Sequence, residues 1–364
     1  MGKPLGVGIV GVGNISAQYL ASIPKLSNLN LIGLTDLDTE RAEKIANQHG
    51  TRAFRDNEIF SDPEVDVILN LTLPQSHASV NMQALQNGKH VYVEKPFALS
   101  VRESLPVITL AQQKGLRIGC APDTFLGTGI QTSKYLLDSG AIGSVFGASA
   151  FWSAPGHERW HPSPQFYYLD GAGPLFDMGP YYLTALVFLL GPITSVIGNA
   201  TRSDRKRKIH TGELADTPIA VEVDTHVSAI LNHASGAQST IMVSFEIWGS
   251  RLPTIEIYGT RGTITAPDPN QFSEPTLIYT EDAPEWKEVE PLAGFMGAGR
   301  GFGLSEMVSA IGANRPHRAS GQLGAHVLEV MEAILSSSKS DVRVNIQSTV
   351  DSIEVVPLTP QNKN

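Results

Sequence analysis

Apolar positions in the first third of the chain fall into short, nearly unbroken runs: Leu5–Val10, Leu29–Thr35, 65–71 (interrupted only by Asp66 and Asn70), His90–Val93 and 118–121. Between them, 17–23, 39–46, 77–86 and Val101–Lys114 carry helical patterns. Strands apolar on both faces and alternating with helices predict a doubly wound parallel sheet. The pattern then changes. After a helix over 129–139, the strand segments 145–152, Ile193–Thr201, 222–231, 237–245 and 254–258 alternate with period two. That periodicity predicts a large, mostly antiparallel open sheet with helices on one face. The fold class expected is α/β followed by α+β, with domains over 1–122 and 123–364. Two further helical patterns, 304–313 and 321–335, have no assigned place in it.

Composition narrows the class. In 364 residues, 41% hydrophobic and 17% charged, there is enough chain for about two domains with sizeable cores. A formal charge of -9 disfavours a phosphate-backbone surface, so nucleic acid is not an expected partner. The basic run 205–208 is read as a solvated loop. The single cysteine, Cys120, fits a reducing compartment. The start shows no leader pattern, and the densest apolar run, 183–190, is too short to span a bilayer. A cytoplasmic protein with no membrane partner is expected.

The first strand breaks into Gly11-Val-Gly13-Asn14-Ile15-Ser16, a Gly-x-Gly-x-x-Ser turn before a helix. Gly11 permits the tight turn, and Gly13 lets the amides around Asn14 and Ile15 approach a pyrophosphate, as in a Rossmann dinucleotide site. The second strand ends at Asp36, twenty residues beyond Ser16, where such folds place a ribose-binding carboxylate. Asp36 would bond a 2′-hydroxyl and repel a 2′-phosphate, which favours NAD over NADP. The alternative role, capping the next helix, falls better to Asp38. The third strand ends at Thr72-Leu-Pro74, before His77. The fourth runs into Glu94-Lys95-Pro96, and the proline holds Lys95 extended at the carboxyl edge of the sheet, the edge where ligands bind. A surface Glu-Lys pair at a turn is the plain alternative.

The second chemical stretch, 171–182, reads Gly-Ala-Gly-Pro-Leu-Phe-Asp-Met-Gly-Pro-Tyr-Tyr and enters an apolar helix. Asp177 is expected to be its N-cap, with Pro180 at the third helical position and Tyr181 on the same face as Asp177. A third stretch gathers His157, Glu158, Trp160, His161, Phe166 and Tyr167, groups suited to covering sugar faces and bonding hydroxyls. A packed loop is the competing reading of that stretch. No Cys/His spacing suggests a metal.

Glu94-Lys95-Pro96 after a dinucleotide-binding domain, followed by Gly-x-Gly-Pro-Leu-x-Asp-x-Gly, resembles the Gfo/Idh/MocA oxidoreductases over nearly the whole chain. The resemblance implies that Lys95 and Asp177 line a substrate pocket beside nicotinamide. Most members carry histidine four residues after the aspartate, whereas Tyr181 stands here. In that respect the chain is similar to glucose-fructose oxidoreductase and dimeric dihydrodiol dehydrogenase, in which a tyrosine takes the acid/base role. The loop Pro74-Gln-Ser-His77 also departs from the commoner Pro-Asn-x-x-His. The activity implied is that of an NAD(P)-dependent dehydrogenase or reductase of a sugar, polyol or related cyclic alcohol or ketone. Lys95 and Tyr181 are its expected acid/base pair, Asp177 the orienter, and Lys95, His157, Trp160, His161, Asp177 and Tyr181 the substrate ligands. Gly11, Gly13, Asn14, Ile15, Asp36, Thr72, Pro74, His77, Glu94 and Lys95 are the expected cofactor ligands, and His161 is a second candidate base. A nearby ammonium favours the phenolate of a tyrosine, and transfer of a carbinol hydride needs such a proton carrier. A redox-assisted glycosidase and a non-catalytic NAD sensor are the alternatives. The resemblance also implies a homodimer or homotetramer built on the open sheet.

Overall fold

The computed structural model describes residues 3–55 and 57–359; Met1 and Gly2, where a leader would begin, lie outside them. The chain divides into two compact units, one running through Gly127 and taking back Gly297–Leu328, the other holding Thr128–Met296 and the remainder of the chain from Glu329.

In the first unit β1 (Leu5–Val10), β2 (Leu29–Thr35), β3 (Arg52–Ala53), β4 (Val67–Asn70), β5 (His90–Val93) and β6 (Ile118–Cys120) form a six-stranded sheet in the order β3-β2-β1-β4-β5-β6. All its pairings are parallel. α1 (Ser16–Ser22), α2 (Thr39–His49), α3 (Glu58–Ser61), α4 (Pro74–Gln86) and α5 (Val101–Lys114) connect the strands. Val7, Ile9, Val67, Leu69, Val91 and Val93 are fully buried, the doubly covered pattern that a parallel sheet requires. Helix ends follow local chemistry. Asp38 caps α2 by accepting from the Arg41 amide at 3.0 Å, and Ser100 accepts the Glu103 amide at 3.3 Å to start α5. α4 begins three residues before the expected His77, because Pro74 can occupy a first helical position whose amide would have no partner.

In the second unit α6 (Thr128–Asp138), α7 (Gly173–Asp177) and α8 (Gly179–Leu190) accompany a nine-stranded sheet. Its strands are β7 (Val145–Ser153), β8 (Ile193–Thr201), β11 (His226–His233), β12 (Gln238–Ser244), β13 (Ile255–Gly259), β14 (Gly262–Ala266), β15 (Thr276–Thr280), β16 (Ala283–Val289) and β17 (Val344–Asn345), in the order β16-β15-β14-β13-β7-β12-β11-β8-β17. β9 (Arg207–Lys208) and β10 (Pro218–Ile219) form a separate ribbon. The large sheet is antiparallel except where β12 runs parallel to β7. α8 is buried along its whole length and packs on α6, β7 and β12. Each of its fully covered leucines contributes about 1.5–3 kcal/mol, which makes this helix the unit's central pillar. β14 to β16 were not expected from the sequence. β16 is largely solvent-exposed, so its apolar alternation is faint. α9 (Phe302–Gly312) belongs to the first unit, and α10 (Gly321–Ser340) begins in the first and ends in the second.

No helix among the described residues is long and apolar enough to cross a membrane.

Candidate active site

At the carboxyl edge of the first unit's sheet, β1 turns at Gly11 with φ +91°, and a Cβ there would stand 2.8 Å from the Leu71 carbonyl. Only glycine fits. A Cβ at Gly13 would meet nothing within 4 Å, so the second glycine leaves open space above the turn. Gly13 and Asn14 are exposed, Ile15 is the N-cap residue before α1, and no side chain caps that helix. The turn thus keeps the room and the amides that a pyrophosphate needs.

Asp36 closes this edge from β2. Its Oδ2 accepts the Val12 amide at 2.7 Å, and its Oδ1 accepts the Asp38 amide at 2.9 Å and the Arg41 guanidinium at 2.6 Å. Partial burial alone would raise its pKa, but these three donors together pull it below the ordinary carboxylate value. Asp36 is an ionised carboxylate tied to the glycine turn, and the capping task belongs to Asp38.

β5 delivers Glu94 and the half-buried Lys95. Glu94 is buried; it accepts the Tyr19 hydroxyl at 2.7 Å and the Lys95 amide at 3.0 Å. His77 ties this turn to the preceding one, with Nδ1 2.6 Å from the Pro96 carbonyl oxygen and Nε2 3.0 Å from that of Thr72. Thr72 in turn donates its hydroxyl to Asn70 at 2.7 Å. Burial pushes the His77 pKa down despite the carbonyls around it. Of the expected cofactor ligands here, His77 is thus a brace between loops.

In the second unit the expectation for Asp177 needs correction. Asp177 ends α7, Met178 stands between the helices with helical dihedrals, and α8 starts at Gly179 with no side-chain cap. Pro180 therefore takes the second helical position. Gly173, at φ +87°, opens α7. The carboxylate of Asp177 turns to a histidine instead: His157 Nε2 lies 2.7 Å from Asp177 Oδ2. The Trp160 indole donates to His157 Nδ1 at 3.2 Å. His157 is 7% exposed, and its ring lies 4.4 Å from that of Tyr167 and 4.7 Å from that of Phe245. Tyr181 is buried on α8.

His161 accepts the Ser163 amide on Nδ1 at 3.0 Å, and its ring packs 5.3 Å from Trp160 and 5.4 Å from Phe166. Burial, helped by neighbouring His157, pushes its pKa down. Trp160 and Phe166 remain 59% and 45% exposed, so this wall presents rings to solvent.

Behind the wall lies a feature not expected from the sequence. Arg207, read there as part of a solvated basic loop, is buried, with its guanidinium 2.7 Å from both Glu158 and Glu246. The Tyr168 hydroxyl bonds the same Glu158 and accepts the His157 amide at 3.2 Å. In the structure Arg207 and the fully buried Ile209 alternate with exposed Lys206 and Lys208, as on a strand with one covered face, a pattern that four consecutive basic residues do not display in sequence.

A parallel sheet with an open glycine turn and an anchored carboxylate at its carboxyl edge defines a nucleotide-binding class, and likeness to known proteins makes it an NAD-binding oxidoreductase. Residues 5–121 match the oxidoreductase family with an NAD-binding Rossmann fold, and residues 130–265 match the GFO/IDH/MocA C-terminal domain. The chain belongs to the Gfo/Idh/MocA oxidoreductase family. It is 24% identical to a D-xylose dehydrogenase of Paenarthrobacter nicotinovorans, over 79% of each chain. It is 23% identical to inositol 2-dehydrogenase 3 of Saccharopolyspora erythraea, over 78% of this chain and 79% of that one. A levoglucosan dehydrogenase structure superposes with a TM-score of 0.82 at 20% identity, covering 96% of this chain and all of that one, and shares the fold.

Proposed function

We propose that the chain is an NAD(H)-dependent dehydrogenase or reductase of a sugar, polyol or related cyclic alcohol or ketone. The observation that carries this is Asp177, an oriented carboxylate next to a wall of aromatic rings, with a tyrosine four residues on. Bound NAD would take or return the hydride. Tyr181 takes the hydroxyl proton at its phenolic oxygen in oxidation and returns it in reduction, Lys95 supplies positive charge for the developing alkoxide, and Asp177 orients the hydroxyl. Trp160 and Phe166 cover an apolar sugar face, the class of substrate named in the xylose and inositol dehydrogenases that the chain resembles. The anchored carboxylate of Asp36 favours NAD over NADP by repelling a 2′-phosphate.

The test is Tyr181→Phe. With NAD affinity intact by fluorescence titration, its turnover of D-xylose, myo-inositol or levoglucosan should fall at least about 100-fold; near-normal turnover overturns the role. We also assign the exposed sheet face, where Ile197 and Ile230 pair across β8 and β11, to subunit contact. Sedimentation of Ile230→Lys against the parent chain tests it: a parent that already sediments as a monomer removes the assignment.

A further inference from the structure

We propose that His157 is the positioning residue of Asp177, a neutral imidazole locked in one tautomer by Trp160. The assignment rests on the reading of Asp177 as a site residue. An indole N–H can only donate, so the 3.2 Å contact from Trp160 makes His157 Nδ1 an acceptor. The ring proton then resides on Nε2, which donates to Asp177 Oδ2 at 2.7 Å. Both nitrogens are spent inside the protein, and the ring is walled by Tyr167 and Phe245 at 4.4 and 4.7 Å. His157 therefore does not serve as a ligand for a sugar hydroxyl, the role expected of it from sequence. It fixes a neighbour.

Its own backbone is fixed as well. The His157 amide donates to the Tyr168 hydroxyl at 3.2 Å, and that hydroxyl is held by Glu158, whose partner is the buried Arg207. A second proton on His157 would need Nδ1 and would displace the indole. The arrangement holds Asp177 Oδ2 as the acceptor of the imidazole proton. This chain places Tyr181 four residues after the aspartate and brings an imidazole to the aspartate from twenty residues upstream.

Side-chain ¹⁵N–¹H spectra, assigned by the signals lost in His157→Gln, read the tautomer with no substrate needed. The Nε2–H form is expected in the parent chain, and both forms in Trp160→Phe; an Nδ1–H form in the parent chain overturns the proposal. Kinetics on D-xylose, myo-inositol or levoglucosan with NAD supply the second arm. His157→Leu should lower kcat about 10- to 100-fold with the KM for NAD unchanged, by analogy with lost supporting partners in other sites. His157→Gln, which keeps a donor at the Nε2 position, should recover most of that loss. The double variant His157→Leu/Asp177→Asn should be no slower than Asp177→Asn. Equal losses for Leu and Gln, or additive losses in the double variant, overturn the positioning role. Normal turnover in Asp177→Asn instead sinks the reading of Asp177, and the role with it, even where the spectra still show the Nε2–H form.

Discussion

His77 and His157 are both buried, and both engage each ring nitrogen within their own unit, yet they are different devices. His77 sits between two acceptors, the carbonyls of Pro96 and Thr72. His157 sits between a donor and an acceptor, the Trp160 indole and the Asp177 carboxylate. A neutral imidazole has one proton to give, so it satisfies both of its partners at position 157 and only one of them at position 77. Burial pushes the His77 pKa below its ordinary 6.5 all the same, which favours the neutral ring, with one carbonyl facing a nitrogen that has no proton to donate. The difference separates a brace, which joins two loops and tolerates an imperfect bond, from a clamp, whose partners dictate a single protonation state.

The largest effect should come from removing what holds the clamp and not the brace. Arg207→Met leaves buried Glu158 with only the more distant guanidinium of Arg205, 3.7 Å away, and should cost about 3–5 kcal/mol in urea denaturation. Turnover should fall with it, because Tyr168 and His157 lose their anchor. A cost under about 1 kcal/mol would show that water or Arg205 takes over the pair. Asp177→Asn keeps the shape and loses the charge; about 100-fold lower kcat on the sugar panel is expected, with NAD affinity unchanged. At the brace, His77→Leu removes the one ring proton available to the two carbonyls and should cost about 1–3 kcal/mol. His77→Asn, which still offers a donor to Pro96, should lose about half as much.

The smallest effect is in pH. His77, His233 and His317 all have pKa values lowered chiefly by burial. Such a group is protonated first in the unfolded chain. Its stabilising contribution is complete above the unfolded value near 6.5 and is lost as pH falls through that value toward the lower folded pKa. Each contributes at most about 1.4 kcal/mol per pH unit. Urea midpoints at about pH 7.5 and about pH 5.5 should therefore show lower stability in acid, with a smaller drop in His77→Leu. An equal drop in both chains would remove His77 from the account.

How much of this was legible depended on distance along the chain. The glycine turn, Asp36 and the Glu94-Lys95-Pro96 turn were visible because each is a local demand on residue type: φ above zero at Gly11, a carboxylate at a strand end, a proline after a strand. α7 was not visible, since its five residues lie in the glycine-rich stretch read as the turn before the apolar helix, and this moved Asp177 from a cap to a helix end. The burial of Arg207 was hidden by its three basic neighbours.

By itself the sequence determined the alternation of strands and helices, the residues of the nucleotide edge and membership of the family, because hydrophobic period and turn chemistry act over a few residues. Only the tertiary structure decided that His157 serves Asp177 and that Arg207 serves Glu158. Those pairs join segments 20 and 49 residues apart. An ionised or tautomeric group takes its role from whichever donors and acceptors packing brings to it once water has been excluded.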